Sequence, residues 1–143
     1  MRSGASSKQK KRGSSKGILN MADVGKIGWI DITVDDAEGL KDFYATVTGW
    51  KPESVDMGEY ADFSMTMPES GRPSAGICHA RDGNAELPRQ WLIYIVVADA
   101  EASAVACAEN GGKVLVGPKD MGGGKFAVIE DPSGAVAALY QEP

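Results

Sequence analysis

Residues 28–49 read GWIDITVDDAEGLKDFYATVTG, and the fold turns on this stretch. Ile30, Ile32 and Val34 alternate with Trp29, Asp31 and Thr33, the period-2 signature of a strand with one aliphatic and one mixed face. Asp35-Asp36 then gives a helix N-cap signal. Leu40, Phe43, Tyr44 and Val47 follow at i, i+3, i+4, i+7, the apolar stripe of an amphipathic helix. Gly49 closes that helix, where a left-handed cap costs a glycine least. The order is strand, tight turn, helix, stop.

The same run returns later in the chain. Residues 29–49 align without a gap on residues 92–112, matching Ile30 with Ile93, Ile32 with Ile95, Val34 with Val97, Asp36 with Asp99 and Gly49 with Gly112. The same offset sets Phe63 on Phe126, and a Pro-containing turn follows each time, Pro68-Glu69-Ser70-Gly71 and Asp131-Pro132-Ser133-Gly134. Such agreement across a strand, a helix and a later hairpin reads as an internal duplication. After each helix come short strand-like runs, at 61–67 and 74–79 in the first half and at 113–116, 126–129 and 135–140 in the second. Each half is therefore expected to be β-α-β-β-β, although the first strand after the first helix is weakly marked. The halves span 26–80 and 90–142, joined by a polar, loop-like linker at 80–89. One half alone has too little core to be stable, so the two must pair.

Composition bounds the rest. The chain has 143 residues, one His and two Cys, and 43% of it is hydrophobic. No run of apolar residues is long enough to cross a membrane as a helix, and no apolar leader is visible near the N-terminus. Two cysteines are too few for a disulfide framework. These features point to a cytoplasmic protein. Residues 1–22 read as a disordered basic tail, since the first twenty hold six basic residues and no acid and little to bury. The remainder holds nine basic against twenty acidic residues. A body of that sign, residues 23–143, is a poor partner for nucleic acid.

If the β-branched stripes lie under the helices, the opposite strand faces carry Trp29, Asp31 and Thr33 in the first half and Leu92, Tyr94 and Val96 in the second. Facing each other, they would line a cleft. Asp31 beside an indole in a partly dry cleft is the candidate acid or base, because burial raises a carboxyl pKa. Cys78 and Tyr140 complete the expected ligand-binding set of Trp29, Asp31, Thr33, Cys78, Tyr94 and Tyr140. Cys78 has no basic neighbour in view and reads as an inert thiol. His79 points away from Cys78 by alternation and reads as a surface or edge histidine, and Cys107 as a core residue. The run Met121-Gly-Gly-Gly-Lys-Phe126 lacks the spacing of a phosphate loop and reads as a hairpin turn. Exposed Trp50 or Met57 would offer an association surface.

The duplicated βαβββ unit resembles the vicinal oxygen chelate superfamily. So do the helix run from Asp36 through Phe43-Tyr44 to Trp50 and the closing stretch from Phe126 through Asp131-Pro-Ser-Gly134 to Val136. That group holds glyoxalase I, bleomycin-resistance proteins and extradiol dioxygenases, and the resemblance covers residues 26–142. It implies an α+β fold of two tandem modules forming curled mixed sheets around a central cleft, and a homodimer by analogy. In metal-dependent members, four inward-facing positions hold the ion. They fall here on Trp29, Leu92, Ala138, and either Ala75 or the Gly76/Cys78 face. Only Cys78 among these could bind a metal, so no metal site and no cofactor are expected. Two functions follow. One is a metal-free small-molecule binding protein, similar to bleomycin-resistance proteins, in which Trp29 and Tyr94 stack on a hydrophobic or cationic ligand and Asp31 attracts charge. The alternative is a lyase or isomerase, lactoylglutathione-lyase-related, using Asp31 or a tyrosine hydroxyl for proton transfer.

Overall fold

A computed structural model of the chain describes residues 24–143, so the expected tail lies outside the described residues. The first half comprises β1 (Ile27–Val34), α1 (Ala37–Thr48), β2 (Lys51–Asp56), β3 (Ala61–Thr66) and β4 (Pro73–His79). The second comprises β5 (Trp91–Val96), α2 (Ala100–Glu109), β6 (Lys113–Met121), β7 (Gly124–Glu130) and β8 (Val136–Gln141). The eight strands form one mixed sheet in the order β2-β3-β4-β1-β5-β8-β7-β6. β1 with β4, and β5 with β8, run parallel, whereas β1 and β5 join the halves as an antiparallel pair. The joint is symmetric, because Ile30 lies opposite Ile93, its equivalent in the other half. The expected α+β architecture stands, with the two curled sheets continuous through this seam.

Local chemistry explains the boundaries. Asp36 accepts from the Gly39 N–H at 2.9 Å and Asp99 from the Ala102 N–H at 3.1 Å, so each helix has a carboxylate cap. Gly49 takes φ 85°, the left-handed stop expected of it. The second helix ends earlier than its counterpart. Asn110 is its cap and Gly111 carries the positive φ, while a Cβ at Gly112 would lie 2.6 Å from Cys107 Sγ and 2.9 Å from the Glu130 carbonyl. Gly122 and Gly123, both at positive φ, make the two-residue turn between β6 and β7. β6 runs five residues past the expected end at 116 because the β6–β7 register shifts on either side of Val116, and such irregularities erase period-2 alternation. β2 is an edge strand exposed along its length, which accounts for its faint mark in the sequence.

Two apolar clusters occupy opposite faces of the sheet. Ile32, Phe63, Met65 and Ile77 pack under α1 with Leu40, Tyr44, Trp50 and Trp91. Only half of the expected helical stripe is used, since Phe43 is 55% and Val47 63% exposed. Trp50 is not the free association surface expected: its ring packs 5.9 Å from Tyr44 and 6.1 Å from Trp91. Met57 is exposed. Under α2, the small side chains of Ala100 and Ala104 are buried, and Cys107 is only half-buried. On the other face, Leu92, Tyr94, Phe126, Val128 and Ala138 form the second cluster, joined by Leu87 from the linker. The linker is therefore more than a polar loop. Lys119 Nζ also donates to the Gly83 carbonyl at 2.9 Å, tying it across the second half of the sheet.

Candidate functional site

The strand register gathers the six expected residues on the sheet face opposite α1. Trp29 lies across from Tyr94, and Asp31 across from Leu92, in the β1–β5 pair. On the other side of β1, Asp31 neighbours Gly76 and Thr33 neighbours Cys78. Beyond β5, Tyr94 neighbours Ala138 and Val96 neighbours Tyr140. Trp29, Asp31 and Cys78 are half-buried, while Thr33 and Tyr94 are buried. Gly76 is a member that sequence reasoning did not single out. A Cβ there would meet Asp31 Cβ and a Trp29 ring carbon, each at 3.2 Å. Its missing side chain is what lets the indole lie over β4.

Asp31 is the chemical centre of this face. Burial pushes its carboxyl up to about 6, and hydrogen bonds from the Tyr94 hydroxyl and the Trp29 indole partly oppose that rise. The nearby Asp62 carboxylate adds a further upward push. Oδ1 of Asp31 is buried with no hydrogen-bond partner. A buried acceptor left unpaired is costly, so a ligand donating to this oxygen would recover that energy. The Tyr94 hydroxyl is in turn held well above its ordinary range, by burial first and then by the Asp31 charge. Tyr94 therefore keeps its proton and shares it only as a hydrogen-bond donor.

A further carboxylate, Asp62, acts on Asp31, with His79 behind it, and neither was singled out from the sequence. Asp62 on β3 is buried and accepts from the His79 backbone N–H at 2.8 Å. His79 is not a surface histidine: it lies between the rings of Tyr60 and Phe63, at centroid distances of 5.5 and 6.3 Å. Burial raises the Cys78 thiol far above its ordinary value, with both carboxylates adding to the effect. It stays protonated, as an inert thiol should. A long-range strand pairing brings Asp62 to this place, and nothing local in the sequence marks it.

The superfamily's divalent ions want several nitrogen and oxygen lone pairs. Gly76, not Ala75, shares the face with Asp31; Ala75 pairs with Met65 on the side that packs under α1. The four positions thus hold an indole N–H, which only donates, two hydrocarbon side chains and a glycine. Among the described residues, no three His, Cys, Asp or Glu side chains are grouped to hold an ion. This donor set does not fit a divalent ion.

With these features in place, comparison with known proteins gives the class. Residues 26–139 match the model of the Glyoxalase/Bleomycin resistance protein/Dioxygenase superfamily. The chain belongs to that superfamily. It is 29% identical over 126 residues to "Putative glyoxylase CFP32" of Mycobacterium tuberculosis (strain CDC 1551 / Oshkosh), covering 87% of this chain and 47% of that protein. It is 31% identical over 134 residues to the anthracycline biosynthesis protein DauV of Streptomyces sp. (strain C5), covering 82% of this chain and 47% of that one. The chain thus spans about half the length of the curated relatives it matches. A methylmalonyl-CoA epimerase solved with methylmalonyl-CoA and NH4+ superposes with a TM-score of 0.53 at 17% identity, over 83% of this chain and 95% of that one. That likeness shows the fold alone. Among the described residues, no helix is long and apolar enough to cross a membrane.

Proposed function

We propose that the chain binds a planar, largely apolar small molecule in the cleft, without the superfamily's metal, and that Asp31 receives a cationic or hydrogen-bond-donating group of that ligand. One observation carries the reading: a buried carboxylate hydrogen-bonded by Tyr94 and Trp29, with Oδ1 buried and without a partner, beside an aromatic cluster. Trp29, Tyr94 and Tyr140 would supply flat surfaces for stacking, and Asp31 a charge that strengthens in a dry site. Thr33 and Cys78 line the neighbouring wall. The relative named for anthracycline biosynthesis supports a polycyclic aromatic ligand. A cytoplasmic homodimer belongs to the same proposal, with the exposed Phe43 and Val47 of α1 as its apolar surface.

The test is a calorimetric titration with an anthracycline bearing an amino sugar and with its neutral aglycone. Asp31→Asn should weaken the cationic compound about tenfold or more, the worth of a hydrogen bond to a charged group, and change the aglycone little. Equal weakening of both would remove the charge argument. Failure of the wild type to bind either compound would remove the ligand class.

A second reading is favoured by the Asp31 carboxyl at about 6. A carboxyl near neutrality, beside the Tyr94 hydroxyl as donor, suits proton abstraction next to a carbonyl. In that lyase or isomerase reading Asp31 takes the proton, and the single Tyr94 O–H, no longer needed by the neutral carboxyl, turns to the developing oxyanion. Solvent-deuterium exchange into a bound carbonyl compound, lost in Asp31→Asn, would select it over simple binding.

A further inference from the structure

The aromatic face named above for stacking is already covered by the chain itself. Tyr94 is 6% and Phe126 8% exposed, yet no residue of either helix belongs to the cluster that holds them. The members of that cluster sit on strands, with one exception, Leu87 of the segment between β4 and β5. Leu87 is 5% exposed, whereas its neighbours from 81 to 90 are half-buried or exposed. One leucine brought in from outside the sheet thus shares a cluster with Trp29, Tyr94 and Tyr140. A planar apolar ligand and this side chain would compete for the same surface, since burial of that surface is what holds either of them.

The segment that carries Leu87 is closed on itself. The Leu87 N–H donates to the Asn84 carbonyl and the Asn84 N–H to the Arg81 carbonyl, each at 3.1 Å. The Arg81 N–H donates to the Asn84 side-chain oxygen at 2.7 Å. Arg89 donates to the Leu87 carbonyl at 2.7 Å and to the Ala85 carbonyl at 3.1 Å. All these bonds lie within 81–89, so the segment can lift as a unit while they and the strand ladders stay intact. Its polar ties to the rest of the chain run over the surface. Lys119 of β6, its Nζ 5.4 Å from the Phe126 centroid, donates to the Gly83 carbonyl at 2.9 Å. Arg89 pairs with the exposed Asp35 at 2.8 Å, and Arg81 stacks on Tyr60 at 4.1 Å and reaches Glu59 at 3.9 Å. Exposed ion pairs hold weakly, which leaves Leu87 as the anchor.

We propose that residues 81–90 form an autoinhibitory strap: Leu87 occupies the aromatic surface of the cleft, and a planar apolar ligand binds by displacing it. This regulation rests on the cleft being the ligand site proposed above. Capture then waits for the strap to lift, and the apparent affinity is the intrinsic one reduced by the fraction of chains in which it is open.

The test applies Leu87→Ala to the full chain in two measurements. Hydrogen exchange without ligand should quicken about tenfold in residues 81–90 relative to β5 and β7, as for a locally opening unit. No rise in the strap, or an equal rise in those strands, would make Leu87 an ordinary core residue and overturn the proposal. In calorimetric titration the neutral anthracycline aglycone should bind Leu87→Ala about tenfold more tightly than the wild type. Equal or weaker binding overturns the proposal as well. Should Leu87→Ala not fold, Lys119→Met, which releases the Gly83 carbonyl, should move both readouts in the same directions, and no movement in either overturns it equally. An aglycone that binds neither protein, with faster exchange confined to the strap, sinks the ligand class alone. An aglycone that binds both equally sinks the strap alone.

Discussion

A carboxylate taken out of water must be paired, protonated or left at a cost, and Asp31 is partly each of these. Its pKa is about 6 in the native protein against 3.8 for an ordinary Asp, so the folded chain binds this proton more tightly than the unfolded one. The stability it confers is fully present below about pH 4 and is lost as the pH rises through 6, to a total of about 3 kcal/mol. Asp31→Asn lacks that loss. Urea unfolding at about pH 4 and about pH 8 should therefore show the variant gaining about that much on the wild type. A constant difference across the range would mean that Asp31 is solvated. Gly76 gives a second check, on the seat of the indole. Gly76→Ala should cost about 1–3 kcal/mol, because the new methyl would press on Trp29 and on Asp31. A fully tolerated alanine would show that the indole does not lie there.

Strands and helices were legible wherever side-chain period and caps agreed. β1 and α1 fall within a residue or two of their expected places because Asp36, Gly49 and the Ile30-Ile32-Val34 alternation all point the same way. The last five residues of β6 escaped because its register shifts break the alternation, and the linker's packing because a single apolar residue, Leu87, does it. That the six expected residues share one sheet face was readable from alternation. Asp62, His79 and Gly76 were not, since their roles come from strand pairings far apart in sequence. The helical stripe also misled, because a period-3.6 pattern gives direction but not which half is covered. Unfolding measurements separate the two halves of that stripe from the core beneath. Ile77→Ala, at a fully buried site, should cost about 2–5 kcal/mol. Phe43→Ser on the exposed side should stay within about 0.5 kcal/mol in the monomer. A large loss at Phe43 would place it against something within the chain.

As a whole, the molecule keeps the superfamily's sheet and replaces the ion-gripping positions of its inner face with an indole, two hydrocarbons and a glycine. Elemental analysis of chain purified without chelator should find well under one divalent metal per chain; a full equivalent would contradict the reading of the donor set. Sedimentation should report a species of twice the 15.0 kDa chain mass, and a single-chain mass would remove the homodimer. In the proposed function the protonation of Asp31 joins charge, burial and ligand, so affinity is expected to follow it. Binding of the amino-sugar anthracycline should tighten about tenfold from about pH 5 to about pH 7.5, centred near the Asp31 midpoint, and stay flat in Asp31→Asn. An affinity that ignores pH in the wild type, or rises equally in the variant, would show that the cleft does not work through this carboxylate.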